Sequence, residues 1–519
     1  MSRTQGEHAT AGRATAAEYC AAGAGKARAI LPLGILAIVL WAGAAAGDGQ
    51  RPVLRVSEAA RLELGEALPG GAATALQAAA DAKAFSHVSA NIAFEGRIDF
   101  RIGNAFFRKK WLAAPASAPD FDGLGPLFNA RSCEACHIRD GRGRPPPAHA
   151  QPGEDDAVSM VLRLSIPPQN DAQRAALAAR ALSVIPEPVY GRQLQTFAIP
   201  GHRAEGRIRI EYEERTVELA GGERVVLRRP VYGVAAPGYG PLHPQVRISP
   251  RVAPPMIGLG LLEAIPEARI LALADERDRD GDGISGRPSR VRPTPEGEAL
   301  LGRFGWKAGK ATIMQQVAEA FSSDMGLSSW LRPALYGDCT PVQKACRAAP
   351  HGRQQGEEAE VSRQVLDLVT RYSSNLAPPP RRSAGEAEVL AGKAIFAALG
   401  CAACHVPSHR TGPHPREPHL SNQRIWPYTD LLLHDMGEGL ADGRREGAAS
   451  GREWRTPPLW GIGLTRQVSG HSFFLHDGRA RSLTEAIMWH GGEARAARDA
   501  FAALPAEGRR RLLAFLNSL

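Results

Sequence analysis

The sequence predicts a mainly α, loop-rich fold of two halves related by an internal repeat, with a small β insertion in the first. Three observations predict it. The pattern Cys-x-x-Cys-His occurs twice, at Cys133–His137 and at Cys401–His405. Each copy is followed by a matching Pro-Pro-x-x-Gly-x-Gly-Leu, at Pro254–Leu261 and Pro457–Leu464, which marks a repeated unit. Gly (55) and Pro (40) are abundant with no Gly-x-y period, so short elements joined by long loops are expected. Of 519 residues, 44% are apolar and 23% charged, an ordinary globular balance that excludes wholesale disorder.

From the N-terminus, the first feature is the apolar run Ile30–Trp41. It is too short to span a bilayer comfortably. It follows Arg3, Arg13, Lys26 and Arg28 and runs into Ala44-Ala45-Ala46, the pattern of a secretory signal. Residues 1–46 therefore read as a signal peptide, with an uncleaved anchor as the alternative, and the periplasm as the destination. Its loss takes the formal charge from +9 to about +7. The remaining Arg are scattered rather than gathered into a basic stripe, which argues against nucleic acid as a partner.

The layout that follows is a first domain over 47–335 around one cysteine motif, a disulfide-bearing linker over 336–382 and a second domain over 383–519 around the other. Export favours bonded cysteines. Cys20 leaves with the signal, and Cys339 and Cys346 read as a local disulfide. Within the first half, an insertion over about 190–250 contains Arg207–Tyr212 and Arg224–Arg228, which alternate around Gly221-Gly222. That pattern is a β-hairpin, read here as a structural flap. A second echo matches Phe304-Gly-Trp306 and the helical run 311–321 to Phe474-Leu-His476 and the run 482–490.

The two cysteine motifs carry the chemistry. Two thiols three positions apart on one turn, Cys133 and Cys136 or Cys401 and Cys404, can form thioethers with the two vinyl groups of one haem. The next residue, His137 or His405, then sits under the iron as its ligand. A thioredoxin-like pair or half a zinc site leaves the His after both pairs unexplained. The expected cofactors are two covalent c-type haems, in two cytochrome-c-like halves.

Several stretches are similar to the di-haem oxidoreductases of the bacterial cytochrome c peroxidase superfamily, nearest to the branch labelled "thiol oxidoreductase" or di-haem peroxidase. They are Arg131–Pro145, Ser249–Pro255, Asp280–Arg287, Gly302–Ala308, Pro427–Gly437 and Phe474–Arg479. The resemblance implies His490 as the second ligand of the second haem, with Met488, Met436 and His434 as rivals. It implies Trp306 as an inter-haem relay, Gln316 as the group orienting peroxide and Asp324 as the proton shuttle, with Glu263 in reserve. The chain has Trp-Lys-Ala at 306–308 where the family has Trp-Asp-Gly, and Asp324 where it has Glu. Internal alignment sets Ala320 opposite His490, leaving the first haem open. His149 matches a loop His that gates the first haem in some relatives. Asp278, Asp280 and Asp282 stand at the alternate positions of a calcium loop, with Ser289 where an EF-hand has Glu.

The activity so implied is reduction of hydrogen peroxide, or its use to oxidise a substrate, at the first haem. Electrons would come through the second haem from a small periplasmic electron-transfer protein or a quinol-linked donor. An electron-transfer cytochrome without catalysis is the alternative. Dioxygen cleavage of a hydrophobic substrate, as in di-haem rubber oxygenases, is a third reading and would require an apolar distal pocket without an acid.

Overall fold

A computed structural model describes residues 56–117, 121–147, 159–293 and 297–519. The expected signal segment, Cys20 and His149 lie outside the described residues. In chain order the elements that position the site are α1 (Phe94–Arg108), β1 (Met160–Ser165), β2 (Arg207–Glu218), β3 (Arg224–Ala235) and β4 (Arg247–Val252). They are followed by α2 (Ile313–Met325), α3 (Arg363–Ser374), α4 (Ala387–Ala398), α5 (Leu483–Met488), α6 (Arg495–Ala503) and α7 (Ala506–Ser518). Every sheet among the described residues is two-stranded. None of their helices is long and apolar enough to cross a membrane.

Two helix pairs share one construction. α1 packs on α3, and α4 packs on α7. Each pair crosses at a glycine. A Cβ on Gly103 would stand 2.2 Å from the Leu368 carbonyl oxygen, and one on Gly392 would stand 2.0 Å from that of Arg511. Only glycine lets the backbones approach this closely. Four residues on, Phe107 and Phe396 each place a ring centroid 6.3 Å from that of the motif histidine, His137 or His405. Tyr372 of α3 backs Phe107 at 5.0 Å, and Phe515 of α7 backs Phe396 at 5.2 Å. Because α3 is half of the first pair, part of the 336–382 stretch belongs to that core rather than to a connector. Cys339 and Cys346 are bonded to each other.

The second echo is repeated in hydrogen bonds. Phe304 N–H donates to the Lys310 carbonyl at 2.9 Å, and Phe474 N–H to that of Ala480 at 2.7 Å. Thr312 caps α2 by accepting from Gln315 N–H, and Ser482 caps α5 by accepting from Glu485 N–H, both at 3.1 Å. Gln315 and Glu485 in turn reach back to the N–H groups of Ala311 and Arg481, variants of a capping box. The Pro-Pro repeats touch reciprocally. Gly258 (φ +72) lies against the Trp460 ring, and Gly461 (φ +74) against Ile257.

β2 and β3 form one antiparallel ribbon, in register from Arg207↔Ala235 to Glu218↔Arg224. Its turn uses Gly221 and Gly222 at φ +85 and +80. The ribbon is no free flap. Leu219 and Leu227 at its tip are buried with Phe396, Phe501 and Phe515. Ala220 N–H donates to Ala502 of α6 at 2.8 Å, and Arg509 of α7 reaches Glu223 at 2.7 Å. The described residues accordingly pack as one compact unit.

Replacing Gly103 or Gly392 by Ala forces a methyl against backbone. Each substitution is expected to lower the unfolding free energy by about 1–3 kcal/mol, measured by guanidinium denaturation. Unchanged midpoints would show that neither crossing needs close approach.

Candidate haem-binding cavity

Both cysteine motifs border a cavity of about 740 Å³ with a mainly apolar lining. In the first, Ser132 caps the turn Cys133–Cys136 by accepting from Ala135 N–H at 3.3 Å. His137 N–H then donates to the Cys133 carbonyl at 3.0 Å. In the second, Gly400 (φ +80) opens the turn at Cys401, and His405 N–H donates to the Cys401 carbonyl at 3.0 Å. His137 Nδ1–H donates to Pro254 O at 2.9 Å, and His405 Nδ1–H to Tyr428 O at 3.1 Å. Burial lowers both histidines to about 4, so both rings are neutral at pH 7. A neutral ring with Nδ1–H so committed presents Nε2 as a metal ligand.

Burial pushes the Cys133 and Cys401 thiols up to about 12. These are not the low-pKa, reactive thiolates of a redox pair. Thiols in an apolar cavity, each pair followed by an oriented imidazole, fit haem.

His490 borders the same cavity. Its Nδ1–H donates to Ala486 O at 2.7 Å, which again leaves Nε2. It lies near enough to His405 that its charge opposes protonation of that ring. Of the rivals, His434 has both ring nitrogens engaged, Nε2 with Asp430 at 2.8 Å and Nδ1 with Glu493 at 2.6 Å. Met488 is buried in a hydrophobic core beside α7. Met436 borders the cavity but packs with Trp306 and Trp454. At the equivalent place in α2, Ala320 lines the cavity, and alanine offers no ligand.

Asp324, Gln316 and Trp306 also line the cavity. Asp324 Oδ1 accepts from Gln193 Nε2 at 2.8 Å, and Oδ2 makes no hydrogen bond among the described residues. Burial raises its pKa, against the pull of Arg163 and the Gln193 hydrogen bond. Its charge opposes ionisation of both Cys133 and Cys136, so it stands beside the first motif. Trp306 Nε1–H donates to Val252 O at 2.8 Å. The main-chain carbonyl of His476, the repeat counterpart of Trp306, accepts from Val252 N–H at 2.8 Å, and its ring stacks on Trp454 at 3.7 Å. The departure at Lys307 is a charge exchange. Lys307 is fully buried with Asp442 at 2.8 Å, whereas its counterpart Asp477 pairs with Arg479 at 2.8 Å.

Glu263 is not brought to the cavity. Its Oε1 accepts from Ile313 N–H at 2.8 Å and its Oε2 lies 3.4 Å from His414, so it caps α2. Asp278, Asp280 and Asp282 are exposed, with one carboxylate oxygen from each within 4.8 Å of the others. Sequence reasoning missed Gln193, which holds Asp324, and Trp454. Neither belongs to a repeated motif. It also missed Gly103-Asn-Ala-Phe-Phe107 and Gly392-Lys-Ala-Ile-Phe396, whose matching Gly-x-x-x-Phe was visible in the sequence.

The sequence profile of the family described as "Di-haem oxidoreductase, putative peroxidase" matches residues 65–519. No curated protein matches the chain. A solved structure of hydrazine synthase from Kuenenia stuttgartiensis, pressurized with xenon, is similar at 17% identity and a TM-score of 0.21. The similarity covers 36% of this chain and 64% of that one.

Glu263→Ala should remove a cap from α2 and lower the unfolding free energy by about 1 kcal/mol. The visible absorption spectrum should not change. A spectral change without loss of stability would return Glu263 to the site.

Proposed function

Because this chain belongs to the di-haem oxidoreductase family, whose members hold two haems, we propose that it is an exported, periplasmic c-type cytochrome that reduces hydrogen peroxide or uses it to oxidise a substrate. Cys133 and Cys136 would hold one haem with His137 beneath the iron. Cys401 and Cys404 would hold the other, with His405 and His490 as its candidate iron ligands. Bound haem supplies a redox-active iron able to take up peroxide oxygen and single electrons. The net reaction consumes one H₂O₂, two electrons and two protons and yields two waters. The electrons would come from a small electron-transfer protein or a quinol-linked donor.

One observation carries the reading: Ala320 occupies the place where the otherwise matching element carries His490. The register of that comparison rests on the paired Phe bridges and the paired helix caps. An electron carrier has no need of such an opening, so the asymmetry favours catalysis at the first site. Asp324 supplies its acid–base group. Gln193 fixes one carboxylate oxygen, the other is available to the cavity, and burial raises its pKa above the ordinary aspartate value, which favours its holding and passing a proton. Gln316 offers an amide to orient a small polar substrate. Trp306, fixed through Val252, lies in the wall shared by both motifs and would relay electrons. An acid in this pocket disfavours the rubber-oxygenase type of reaction. Three converging aspartates at 278, 280 and 282 offer the hard oxygen donors that calcium takes.

Rapid mixing of half-reduced protein with H₂O₂ should oxidise the second haem quickly. Asp324→Asn should slow that oxidation by about 100-fold or more. A spectrum inert to peroxide over seconds would leave the electron-carrier reading. Dialysis against a calcium chelator should lower the thermal midpoint, and added Ca²⁺ should restore it. A midpoint indifferent to both leaves the three aspartates as a solvated turn.

A further inference from the structure

Most cations bordering the cavity have a carboxylate of their own. Arg251 reaches Glu446 at 2.9 Å, Lys310 reaches Glu319 at 3.7 Å, and Arg498 reaches Asp499 at 2.7 Å. Arg142 and Arg455 do not. Among the described residues neither has a carboxylate within ion-pair distance, and both guanidiniums donate only to backbone carbonyls. Arg142 Nε–H donates to Phe473 O at 2.8 Å and Nη2–H to Leu475 O. Arg455 Nε–H donates to Gly305 O and Nη1–H to Thr456 O, both at 3.0 Å. Arg303 also donates only to carbonyls, but the first two are built as a pair.

The pairing is reciprocal. Gly305 and Leu475 are the middle residues of the matching Phe-Gly-Trp and Phe-Leu-His segments. Arg142, just past the first cysteine motif, therefore anchors the second-half segment. Arg455, just before the second Pro-Pro repeat, anchors the first-half one. Burial lowers each guanidinium to about 10, the mark of a cation without enough compensation. The nearest negative groups are already committed. Asp477, which acts on Arg142, holds Arg479 at 2.8 Å, and Asp430, which acts on Arg455, holds His434 at 2.8 Å. A buried, unpaired charge is costly, yet both side chains keep unused N–H donors on the wall of one cavity. Two haems bring four propionates, carboxylates of the kind that neither guanidinium has within ion-pair distance.

We infer that Arg142 and Arg455 are haem-propionate ligands, one on each side of the junction between the halves, so that loading the haems completes the charge pairing there. The inference rests on the di-haem reading and is independent of peroxide chemistry.

The test uses the haem-loaded protein and its Arg142→Gln, Arg455→Gln, Arg142→Lys and Arg455→Lys variants. Haem content is counted first, and the two midpoint potentials are then followed from pH 5 to 8 by spectroelectrochemistry. In the parent protein each arginine keeps its propionate ionised, so any slope of the potentials with pH comes from other groups and sets the baseline for the variants. In a Gln variant the freed propionate should titrate, and one potential should fall as pH rises. At pH 7 the ferrous-to-ferric ratio at fixed solution potential should drop about tenfold, which is 59 mV for a one-electron couple. Infrared redox-difference spectra should gain a protonated-carboxylic-acid band. The Lys variants keep the charge and should stay near the parent profile, though with altered carboxylate bands. They carry the test if a Gln variant does not fold. Two haems per chain with potentials, pH profiles and carboxylate bands unchanged in every variant would overturn the inference alone. That result would leave the guanidiniums free for an anionic substrate. A parent chain with no haem would overturn both readings.

Discussion

An imidazole whose Nδ1–H is committed to a backbone carbonyl can offer only Nε2 to a metal, and it offers it in a fixed direction. His137, His405 and His490 all meet that constraint, through Pro254, Tyr428 and Ala486. Much of the surrounding architecture serves to hold those carbonyls and rings. The Phe107 and Phe396 rings stand beside His137 and His405, and the glycine crossings bring their helices close enough to do so. The acceptor for His137 belongs to the first Pro-Pro repeat, but the acceptor for His405 does not belong to the second. The constraint is thus satisfied twice by different residues, which indicates that the geometry matters more than the local sequence that supplies it.

Against that common plan, three differences between the halves bear most directly on the site. Trp306 stands where the second half has His476, Lys307 where it has Asp477, and Ala320 where it has His490. Each exchange is accommodated locally. Lys307 finds Asp442, the Trp306 indole donates to Val252 O, and the His476 ring stacks on Trp454. The backbone hydrogen bonds and caps around them are unchanged. A duplicated scaffold that keeps its bridges and caps while exchanging side chains such as these can assign different tasks to its two cysteine motifs.

The features legible in the sequence were those governed by short-range chemistry. The cysteine motifs, the Gly221-Gly222 hairpin, the Cys339–Cys346 bond and the register of the 304–321 and 474–490 segments all depend on residues close in sequence. Long-range packing was not legible. Nothing local indicates that the hairpin tip is buried among Phe396, Phe501 and Phe515, or that α3 closes on α1 across more than two hundred intervening residues. Glu263 looked like a spare catalytic acid because its sequence position beside a repeat says nothing of Ile313, whose N–H it caps. Gln193 was invisible for the same reason, since its importance comes from Asp324, far along the chain.

The hairpin also bears on the order of assembly. Leu219 and Leu227 emerge during synthesis well before α4, α6 and α7, the helices that will cover them. Contacts separated this far in sequence close slowly, so the ribbon is complete as a local structure long before its tip has a place to go. Until then two leucines face solvent at the end of a twelve-residue arm. A first half produced alone would keep that sticky end exposed, and in a crowded compartment it could find the second half of a neighbour. Exchange of this arm between chains is the misassembly that the topology invites, and the short distance to its own partner within one chain is what suppresses it.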